Sequence, residues 1–348
     1  MCHAEGMSAD TPSRTTASQD TSRATAPLCV LGLGLIGGSL LRAVADSGRT
    51  AFGHNRSTAT VTEATAAGYD ADDDLERTLR RAAATDALIV VAVPVTAVDP
   101  VLDAIARWAP ECAITDVISV KQAVAQSVLR AGLSARWVGG HPMAGTSQSG
   151  WAATDPGLFA GASWVVAADD GVDPGIWTDV ADLALSVGAV VVPVETDEHD
   201  RVVAAISHLP HVTAAITAAV AGGDGQLALR LAAGSFRDGT RVAGTAVPLQ
   251  RAMLEANTTA LVSAMDEALD RLTRARDDLR DTGSVELVVD DGHRVRTRWE
   301  AMTSTPAQPI TGVTVGESGW AAELRRQAHL GRVWTTESRT QIRSASPS

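Results

Sequence analysis

One histidine is predicted to lie just past the carboxyl end of a strand, where parallel sheets bind their ligands. His141 belongs to the segment Gly139–Gly150 (GGHPMAGTSQSG) and follows residues 135–138, an apolar stretch that predicts a short strand. Open α/β sheets bind ligands beyond the carboxyl ends of their strands, and His141 is expected at such an end. An imidazole titrates near neutral pH, so this position favours a catalytic role for His141. The alternative is a loop turned by glycine and proline, with a histidine that only satisfies the backbone.

A glycine-rich turn near the start of the chain predicts a dinucleotide site. Residues 27–31 (PLCVL) are typical of a buried strand, and residues 32–41 (GLGLIGGSLL) follow with the spacing Gly-x-Gly-x-x-Gly. In this motif the glycines permit a tight turn, a close approach to pyrophosphate and close helix packing, and the helix N-terminus meets the phosphates. The residues expected to bind a nicotinamide cofactor are Gly32, Gly34, Leu35, Ile36 and Gly37, with Val93 at the end of a later strand.

The end of the second predicted strand bears on the choice between NAD and NADP. NAD-binding sheets usually place Asp or Glu there to hold the ribose 2′-hydroxyl, whereas here Asn55 is followed by Arg56. A carboxylate would repel a 2′-phosphate, and an arginine pairs with it. We therefore expect both residues at the cofactor and expect NADP to be accepted. The alternative is a solvated arginine beside an NAD site.

The elements that must position these residues alternate between strand and helix up to residue 195. Apolar runs predict strands at 50–53, 87–93, 113–117, 163–168 and 189–194, in addition to 27–31. This alternation indicates an α/β fold with an N-terminal, Rossmann-type, doubly wound parallel sheet over residues 27–195. Ser119 and Lys121, the one lysine in the chain, follow the strand at 113–117. Ser119 is either an N-cap of the next helix or a site residue beside His141.

From residue 196 the pattern becomes helical. Alanine-rich and amphipathic stretches at 197–221, 227–234, 248–257 and 258–281 predict an all-helical domain over 196–283. Such an apolar helical layer is often buried against a second copy, so we expect a homodimer. Residues 284–348 form a C-terminal extension with a predicted hairpin around residues 290–293 and a helix over 320–334. Residues 1–26 predict a disordered tail.

Two polar clusters in the helical part are candidates for ligand contact. The first contains His199, Asp200, Ser207, His208 and His211, of which the last three share one face at helical spacing. This cluster predicts a metal site, packed histidines with local hydrogen bonds, or a polar wall of a substrate site. The second cluster is residues 236–241, in which Arg241 is suited to clamp a substrate carboxylate. Its alternative is a surface pair of an arginine with Asp238.

Composition excludes several classes of protein. The 348 residues carry a formal charge of −12 with no basic cluster, which argues against a nucleic-acid partner. No apolar run long enough to span a bilayer is evident, so no membrane partner is expected. The three cysteines are odd in number and widely spaced, which indicates neither disulfides nor zinc and favours the cytoplasm. The first 26 residues lack the apolar region of a secretory signal.

Taken together, these motifs resemble the prephenate dehydrogenase family, the TyrA-type enzymes of tyrosine biosynthesis. The resemblance covers residues 27–283 and rests on GLGLIGGSL, DVISVK, GGHPMAGT, DEHDRVVAAISHLPH and FRDGTRVA, in that order. It implies a dinucleotide-binding domain and a helical dimerisation domain, with oxidative decarboxylation of prephenate to 4-hydroxyphenylpyruvate. It also implies that His141 accepts a hydrogen bond from the ring hydroxyl and that Ser119 orients His141. The residues that it assigns to substrate are Arg241, Ser207, His211 and Thr146.

The chain departs from the family pattern in two places, and several rivals stay open. Many members have Glu after the Thr or Ser of the histidine motif, whereas this chain has Ser147, and no regulatory ACT-type segment is evident. Arogenate dehydrogenase is the nearest rival, because the same chemistry acts on an amino acid side chain. A relative acting on an amino-substituted prephenate and a β-hydroxyacid dehydrogenase are further rivals. A non-catalytic NADP-sensing regulator belongs to a different class.

Overall fold

A computed structural model describes residues 26–146, 148–223 and 225–339. The predicted tail, residues 1–26, therefore lies outside the described residues except for Ala26. The described chain forms a nucleotide-binding α/β part, a small second sheet, a helical part and a C-terminal extension.

The first sheet is parallel throughout, as predicted. Its spatial order is β3-β2-β1-β4-β5-β6, which places the crossover between β1 and β4 at its centre. The strands are β1 (Leu28–Leu31), β2 (Ala51–His54), β3 (Ala71–Asp72), β4 (Leu88–Val91), β5 (Ile114–Asp116) and β6 (Trp137–Val138). The helices between them are α1 (Leu35–Asp46), α2 (Thr58–Ala66), α3 (Leu75–Ala84), α4 (Val98–Trp108) and α5 (Gln122–Arg130).

Continuous apolar runs form these strands because both faces of the sheet are covered. In β1, Leu28 and Val30 pack into one buried cluster, whereas Cys29 and Leu31 pack into the cluster on the opposite face. An antiparallel strand with one face in solvent would carry polar residues at every second position. In β1 those positions are apolar as well, because the sheet is covered on both faces. Cys29 and Cys112 are buried and form no disulfide within the described residues, which accords with a structural role for both side chains.

The last predicted strands belong to a separate sheet, which corrects the expectation of one sheet over residues 27–195. This sheet has the order β7-β8-β9, with β7 antiparallel to β8 and β8 parallel to β9. Its strands are β7 (Gly140–Pro142), β8 (Ser163–Ala167) and β9 (Val190–Val194), with α6 (Pro174–Ser186) between the last two. The chain passes from β6 to β7 through Gly139. A Cβ on Gly140 would lie 2.6 Å from the Asp116 carbonyl oxygen, so glycine permits this passage.

The helical part begins with one long helix. It consists of α7 (Thr196–Val203), a π-helical turn (Ala204–His208) and α8 (Leu209–Gly223), and it is followed by α9 (Gly225–Leu231), α10 (Gly234–Thr240), α11 (Val247–Ala256) and α12 (Thr258–Thr282). Over its 28 residues the most apolar window has a mean hydropathy of 1.4, and 22% of that window is buried. By length and composition alone this helix is long enough to cross a membrane. No stretch long enough to span a bilayer was expected from the sequence, and this helix corrects that expectation. Polar residues interrupt its apolar sequence but do not break the helix.

The C-terminal extension differs from its prediction. The segment expected to form a hairpin is instead the helix α13 (Glu286–Thr303), in which ion pairs join residues one helical turn apart, Arg294 with Asp291 and Arg296 with Glu300. Such pairs stabilise a helix and are not available in a hairpin. The next helix, α14 (Trp320–His329), is shorter than predicted, and Trp334 beyond it forms an antiparallel bridge with Val191 of β9.

Candidate active site

The glycine turn has the geometry that a dinucleotide requires. Gly32 has φ of +108°, and a Cβ there would lie 2.5 Å from the Ala92 carbonyl oxygen. A Cβ on Gly37 would lie 2.0 Å from the Gly32 carbonyl oxygen, so this glycine lets α1 pack against the turn. A Cβ on Gly34 would meet nothing within 4 Å, which leaves open space where a pyrophosphate would approach. The turn is therefore closed on its protein side and open on its ligand side.

The surroundings of this turn suit an anion. The first turn of α1, which contains Leu35 and Ile36, has no acidic residue, and its backbone N–H groups have no partner within the helix. Asn55 accepts a hydrogen bond from the Leu33 N–H at 3.2 Å, so its side chain holds the turn. Arg56 is exposed beside it.

Val93 is half-buried just beyond the carboxyl end of β4. Its side chain lies next to the glycine turn, since a Cβ on Gly32 would come within 3.1 Å of Val93 Cγ1. The structure thus brings all the predicted cofactor residues to the carboxyl edge of the first sheet, around the ends of β1, β2 and β4.

His141 lies in β7, immediately past the end of β6. Its Nδ1 is 2.9 Å from Nε2 of His199 in α7, and the two rings meet edge to face with centroids 5.1 Å apart. His199 Nδ1 is in turn 2.8 Å from Oδ1 of Asp200. The helical part therefore supplies the hydrogen-bond partner of the predicted catalytic histidine.

Asp200 connects the helical part to the nucleotide-binding part. Its carboxylate accepts hydrogen bonds from the backbone N–H of Lys121 at 2.7 Å and of Gln122 at 2.9 Å, which are the first residues at the N-terminus of α5. Asp200 thus caps that helix, which excludes the alternative interpretation of Ser119 as its N-cap. Ser119 is half-buried beyond the end of β5, and its hydroxyl has no hydrogen-bond partner within the described residues.

Lys121 is fully buried and has a structural explanation. Its ammonium donates to Oδ1 of Asp116 and to the carbonyl oxygen of Gly140 at 2.7 Å, and Trp137 donates to the other carboxylate oxygen at 3.1 Å. This buried ion pair joins the end of β5 to the residue before His141. A cation at the start of α5 opposes the helix dipole, and its pairing with Asp116 compensates for that.

The electrostatic surroundings keep the histidines neutral and the aspartate charged. Burial lowers the pKa of His141 well below 6.5, and the neighbouring His199, Lys121 and His208 lower it further. Burial also lowers the pKa of His199, although its hydrogen bond to Asp200 acts in the opposite direction. Burial alone would raise the pKa of Asp200, but hydrogen bonds from His199 and from the N-terminus of α5 outweigh it and lower this pKa.

The predicted face of Ser207, His208 and His211 is divided by the π-helical turn. His208 is buried, and its Nδ1 accepts a hydrogen bond at 3.1 Å from Asn257, which also donates to the Asp200 carbonyl oxygen. His211 is half-buried, and within the described residues its buried Nδ1 has no hydrogen-bond partner. Ser207, in the π-helical turn, is half-buried. His208 is therefore part of the helix packing, whereas the buried Nδ1 of His211 is left without a hydrogen-bond partner among the described residues.

Arg241 lies close enough to His211 for its charge to affect the pKa of the histidine. Burial lowers the pKa of His211, and the charge of Arg241 lowers it further. Asp238 pairs with Arg237, whereas Arg241 is exposed and makes no ion pair to any described carboxylate. Thr146 is less well placed. It is exposed in the loop after β7, and its hydroxyl accepts from the Gln148 N–H at 3.2 Å.

A cavity of about 790 Å³ lies beside His199, between the second sheet and the C-terminal extension. Its apolar wall includes Val165 and Val192, and Trp299 and His329 contribute from α13 and α14. The C-terminal helices therefore help to enclose His199. Among the described residues no cluster of His, Cys, Asp and Glu is arranged to hold a metal ion.

Sequence reasoning missed the contacts that join distant segments. It grouped His199 and Asp200 with a polar wall but did not pair His199 with His141, which is 58 residues earlier. It also left Asp116 and Asn257 out of the site. The isolation of Lys121 as the one lysine was a usable signal, because a buried lysine requires a carboxylate partner.

Comparison with known proteins assigns this arrangement to a family. A family model described as the nucleotide-binding domain of prephenate dehydrogenase matches residues 40–193. A second model, described as the dimerization domain of prephenate dehydrogenase, matches residues 195–289. A prephenate dehydrogenase of Bacillus subtilis is 31% identical over 259 residues, which are 72% of this chain and 69% of that protein.

Two solved structures share the fold over most of the chain. A protein from Corynebacterium glutamicum assigned as a prephenate dehydrogenase has a TM-score of 0.84 at 47% identity and covers 88% of this chain and 98% of its own. The arogenate dehydrogenase of Synechocystis has a TM-score of 0.68 at 27% identity and covers 78% and 99%. Sequence, domain order and fold agree, and the chain belongs to the prephenate dehydrogenase family.

Proposed function

We propose that this protein is a prephenate dehydrogenase that converts prephenate to 4-hydroxyphenylpyruvate and CO2 in tyrosine biosynthesis. Membership of the family supports the reaction class. The observation that carries the assignment is His141, a half-buried imidazole with a lowered pKa at the carboxyl edge of a nucleotide-binding sheet. Such a group is suited to take a hydroxyl proton at neutral pH.

The glycine turn fits a nicotinamide dinucleotide, because it is open at Gly34 and faces the N-terminus of α1. When bound, that cofactor supplies the hydride acceptor. Leu35, Ile36 and Gly37 would present backbone N–H groups to its pyrophosphate, and Asn55 and Arg56 would border its adenosine ribose.

His141 moves the proton in this mechanism. Its Nε2 takes the C4 hydroxyl proton as the C4 hydrogen leaves with its electron pair, and the C4–O bond becomes a carbonyl. CO2 then leaves C1, and the electrons of the broken C–C bond enter the ring, which becomes aromatic. The C4 oxygen regains the proton from His141. The Ser119 hydroxyl has no hydrogen-bond partner among the described residues, His141 included. We therefore assign it to the same ring hydroxyl, in place of the expected role of orienting His141.

The two carboxylates of prephenate need donors on the other side of the site. Arg241 and His211 lie together, and neither the Arg241 guanidinium nor the buried His211 Nδ1 is engaged by another described side chain. We assign both to the substrate, with Ser207 from the π-helical turn and Thr146 from the loop after β7. An arginine holds a carboxylate in a fixed orientation, which supplies proximity as well as charge.

The test is turnover of purified protein on prephenate and on arogenate, each with NAD and with NADP. We expect prephenate to be oxidised, with reduced cofactor and CO2 formed in equal amounts. Arogenate is the second candidate, because Arg241 and His211 would serve its carboxylates equally well and an arogenate dehydrogenase shares the fold. Turnover of arogenate alone would move the assignment to that activity. No turnover of either, with cofactor binding intact, would favour the non-catalytic regulator.

NADP acceptance forms a separate prediction that rests on Arg56. The exposed guanidinium beside Asn55 is placed to pair with a 2′-phosphate, and no carboxylate follows β2 directly. Arg56→Ala should raise KM for NADP by roughly tenfold and leave KM for NAD nearly unchanged, because only NADP carries the phosphate. In the unmodified enzyme, a KM preference for NAD of more than about tenfold would contradict the prediction.

A homodimer in the cytoplasm completes the proposal. The match to a dimerization domain supports the dimer, as do the exposed apolar side chains of the helical part. The two described cysteines, Cys29 and Cys112, are buried and not joined in a disulfide, which agrees with a reducing compartment.

A further inference from the structure

We propose that His199 and Asp200 are positioning residues that fix His141 as the Nδ1–H tautomer, which leaves Nε2 unprotonated and able to act as the base. This inference rests on the proposed function of His141 and adds the device that makes one of its two nitrogens available. It also assigns to the helical part a share in the chemistry, since both positioning residues belong to α7.

The fixed end of this arrangement is the Asp200 carboxylate. It is 3% exposed and accepts from three N–H groups, namely the backbone of Lys121 and Gln122 and the ring of His199. Two of these donors form the N-terminus of α5, where the helix dipole also favours a negative charge. A carboxylate held in this way stays ionised and can only accept hydrogen bonds.

The tautomers of both histidines follow from that acceptor. Because Asp200 can only accept, His199 must carry its proton on Nδ1, 2.8 Å away. In a neutral His199 the other nitrogen, Nε2, is then an acceptor. His141 Nδ1, 2.9 Å from it, must therefore be the donor, and His141 Nε2 is left with a free lone pair. The order is the one in which a buried carboxylate orients a catalytic histidine, with a second imidazole inserted.

The charged and titratable groups around the pair oppose the competing, doubly protonated state. His141 in β7 faces His199 from α7, Lys121 from the start of α5 and His208 from the π-helical turn. His199 faces Asp200 and, from the adjacent strand and helix, Asp116 and Lys121. The Lys121 cation and the burial of both rings disfavour a second proton, so a single proton order is retained.

The first test reads the tautomer directly in the unmodified enzyme. Two-dimensional ¹⁵N–¹H NMR that connects ring nitrogens to ring carbon-bound hydrogens distinguishes a protonated from an unprotonated nitrogen, and the spectrum of His141→Asn identifies the His141 signals. We expect a protonated Nδ1 and an unprotonated Nε2 in His141 at pH 7. The reverse assignment would overturn the proposal, whatever the substrate of the enzyme is.

The second test uses two substitutions that each keep one of the two contacts of His199. In His199→Gln the terminal amide takes the place of Nε2 and retains an acceptor for His141, whereas in His199→Asn it takes the place of Nδ1 and retains only the contact with Asp200. We expect kcat to fall by roughly 10–10² in His199→Asn, as for other residues that orient a reacting group. His199→Gln should recover part of this loss. KM should change little in both.

The pattern of results separates a positioning role from a structural one. An equal loss of kcat in the two variants, or no loss of kcat in either, would contradict the proposal, provided that the thermal unfolding midpoints of the two variants match. If the tautomer is as expected and neither prephenate nor arogenate is turned over by the unmodified enzyme, the proposed function fails and the arrangement of the histidines stands.

Discussion

Burial and hydrogen bonding together prepare one nitrogen of His141. The site is rich in polar groups, yet each group that could protonate or mispair the imidazole already has its own partner. Lys121 donates to Asp116 and to the Gly140 carbonyl oxygen, and Asp200 accepts from the start of α5. Lys121 and Asp200 are therefore engaged within the protein, and the groups left available are Nε2 of His141, the Ser119 hydroxyl and the Arg241 guanidinium. Because only these three groups are left available among the described residues, they are the ones whose substitution tests the chemistry.

Replacement of His141 tests the role of the base itself. We expect His141→Asn to lower kcat by roughly 10²–10⁴, the usual contribution of a general base, and to leave the Kd of the reduced cofactor unchanged. Asparagine keeps a polar group near the position of Nδ1, so the contact with His199 is partly retained. The measurements are steady-state kinetics and fluorescence titration with the cofactor. A kcat near that of the unmodified enzyme would exclude His141 as the base.

The pH dependence of the reaction follows from the lowered pKa of His141. The neutral imidazole is the active form, and burial moves its pKa well below 6.5. Activity should therefore persist as the pH falls through 6.5 and decline only at lower pH, where the imidazole becomes protonated. Because His141 and His199 are coupled, the apparent value belongs to the pair. The measurement is log kcat/KM against pH, and an acidic limb centred at or above 6.5 would contradict the expectation.

Local sequence patterns predicted where the candidate residues lie in the fold. They did not predict the contacts between residues that are far apart in the chain. The glycine turn and the histidine segment combine strand, turn and helix signals within about a dozen residues, so their places in the fold follow from the sequence. The pairing of His141 with His199 depends on how α7 packs against β7, and no local pattern encodes that. At Ser119 the local pattern left two interpretations open, since serine before a helix is a common N-cap, and only the long-range contact of Asp200 with the start of α5 excludes the cap.

At the scale of elements, α1 and its glycine turn offer a matched pair of substitutions. Gly34→Ala adds a methyl group into open space, and Gly34 has φ of −78°, which alanine adopts without strain. Gly37→Ala adds the same methyl group 2.0 Å from the Gly32 carbonyl oxygen. We expect the first to raise the Kd for NAD by at least about tenfold with no change in Tm, because the methyl group meets the pyrophosphate.

The second substitution is the control for folding. Gly37→Ala should lower the unfolding free energy by about 1–3 kcal/mol, since α1 must shift away from the turn. Calorimetry and cofactor titration on both variants separate the two effects. A drop in Tm for Gly34→Ala, or an unchanged Tm for Gly37→Ala, would show that the turn is not packed as described.

The elements themselves were predictable where hydrophobic periodicity decided their type. Buried strands such as β1 and β4 are continuous apolar runs, and the helical part follows its periodic pattern. The sheet to which a strand belongs was not predictable, because β8 and β9 are apolar runs like the strands of the first sheet. The prediction of a hairpin within residues 285–303 was wrong for a different reason. Its valines favour a strand, but ion pairs at helical spacing favour the helix that forms.

At the scale of the whole molecule, the helical part leaves apolar side chains uncovered. Ile216 and Val220 are 55% and 71% exposed at adjacent turns of α8, and Leu227 and Leu231 are 70% and 74% exposed in α9. Isolated apolar residues on a surface need no explanation, but repeated pairs at helical spacing form a stripe. The stripe lies within residues 195–289, which match the dimerization domain of the family. A second copy of the chain is therefore the partner that this surface predicts.

The dimer can be tested with one substitution in the stripe and one outside it. Val220→Glu places a charge on α8 at a position that is 71% exposed, and Leu129→Glu does the same on α5 at a position that is 69% exposed. Analytical ultracentrifugation should give twice 36.0 kDa for the unmodified protein and for Leu129→Glu. Val220→Glu should sediment as a monomer at micromolar concentration, because a charge buried at an interface without a partner costs several kcal/mol. A monomeric unmodified protein, or a Val220→Glu dimer as stable as the control, would contradict the assignment of this stripe to the interface.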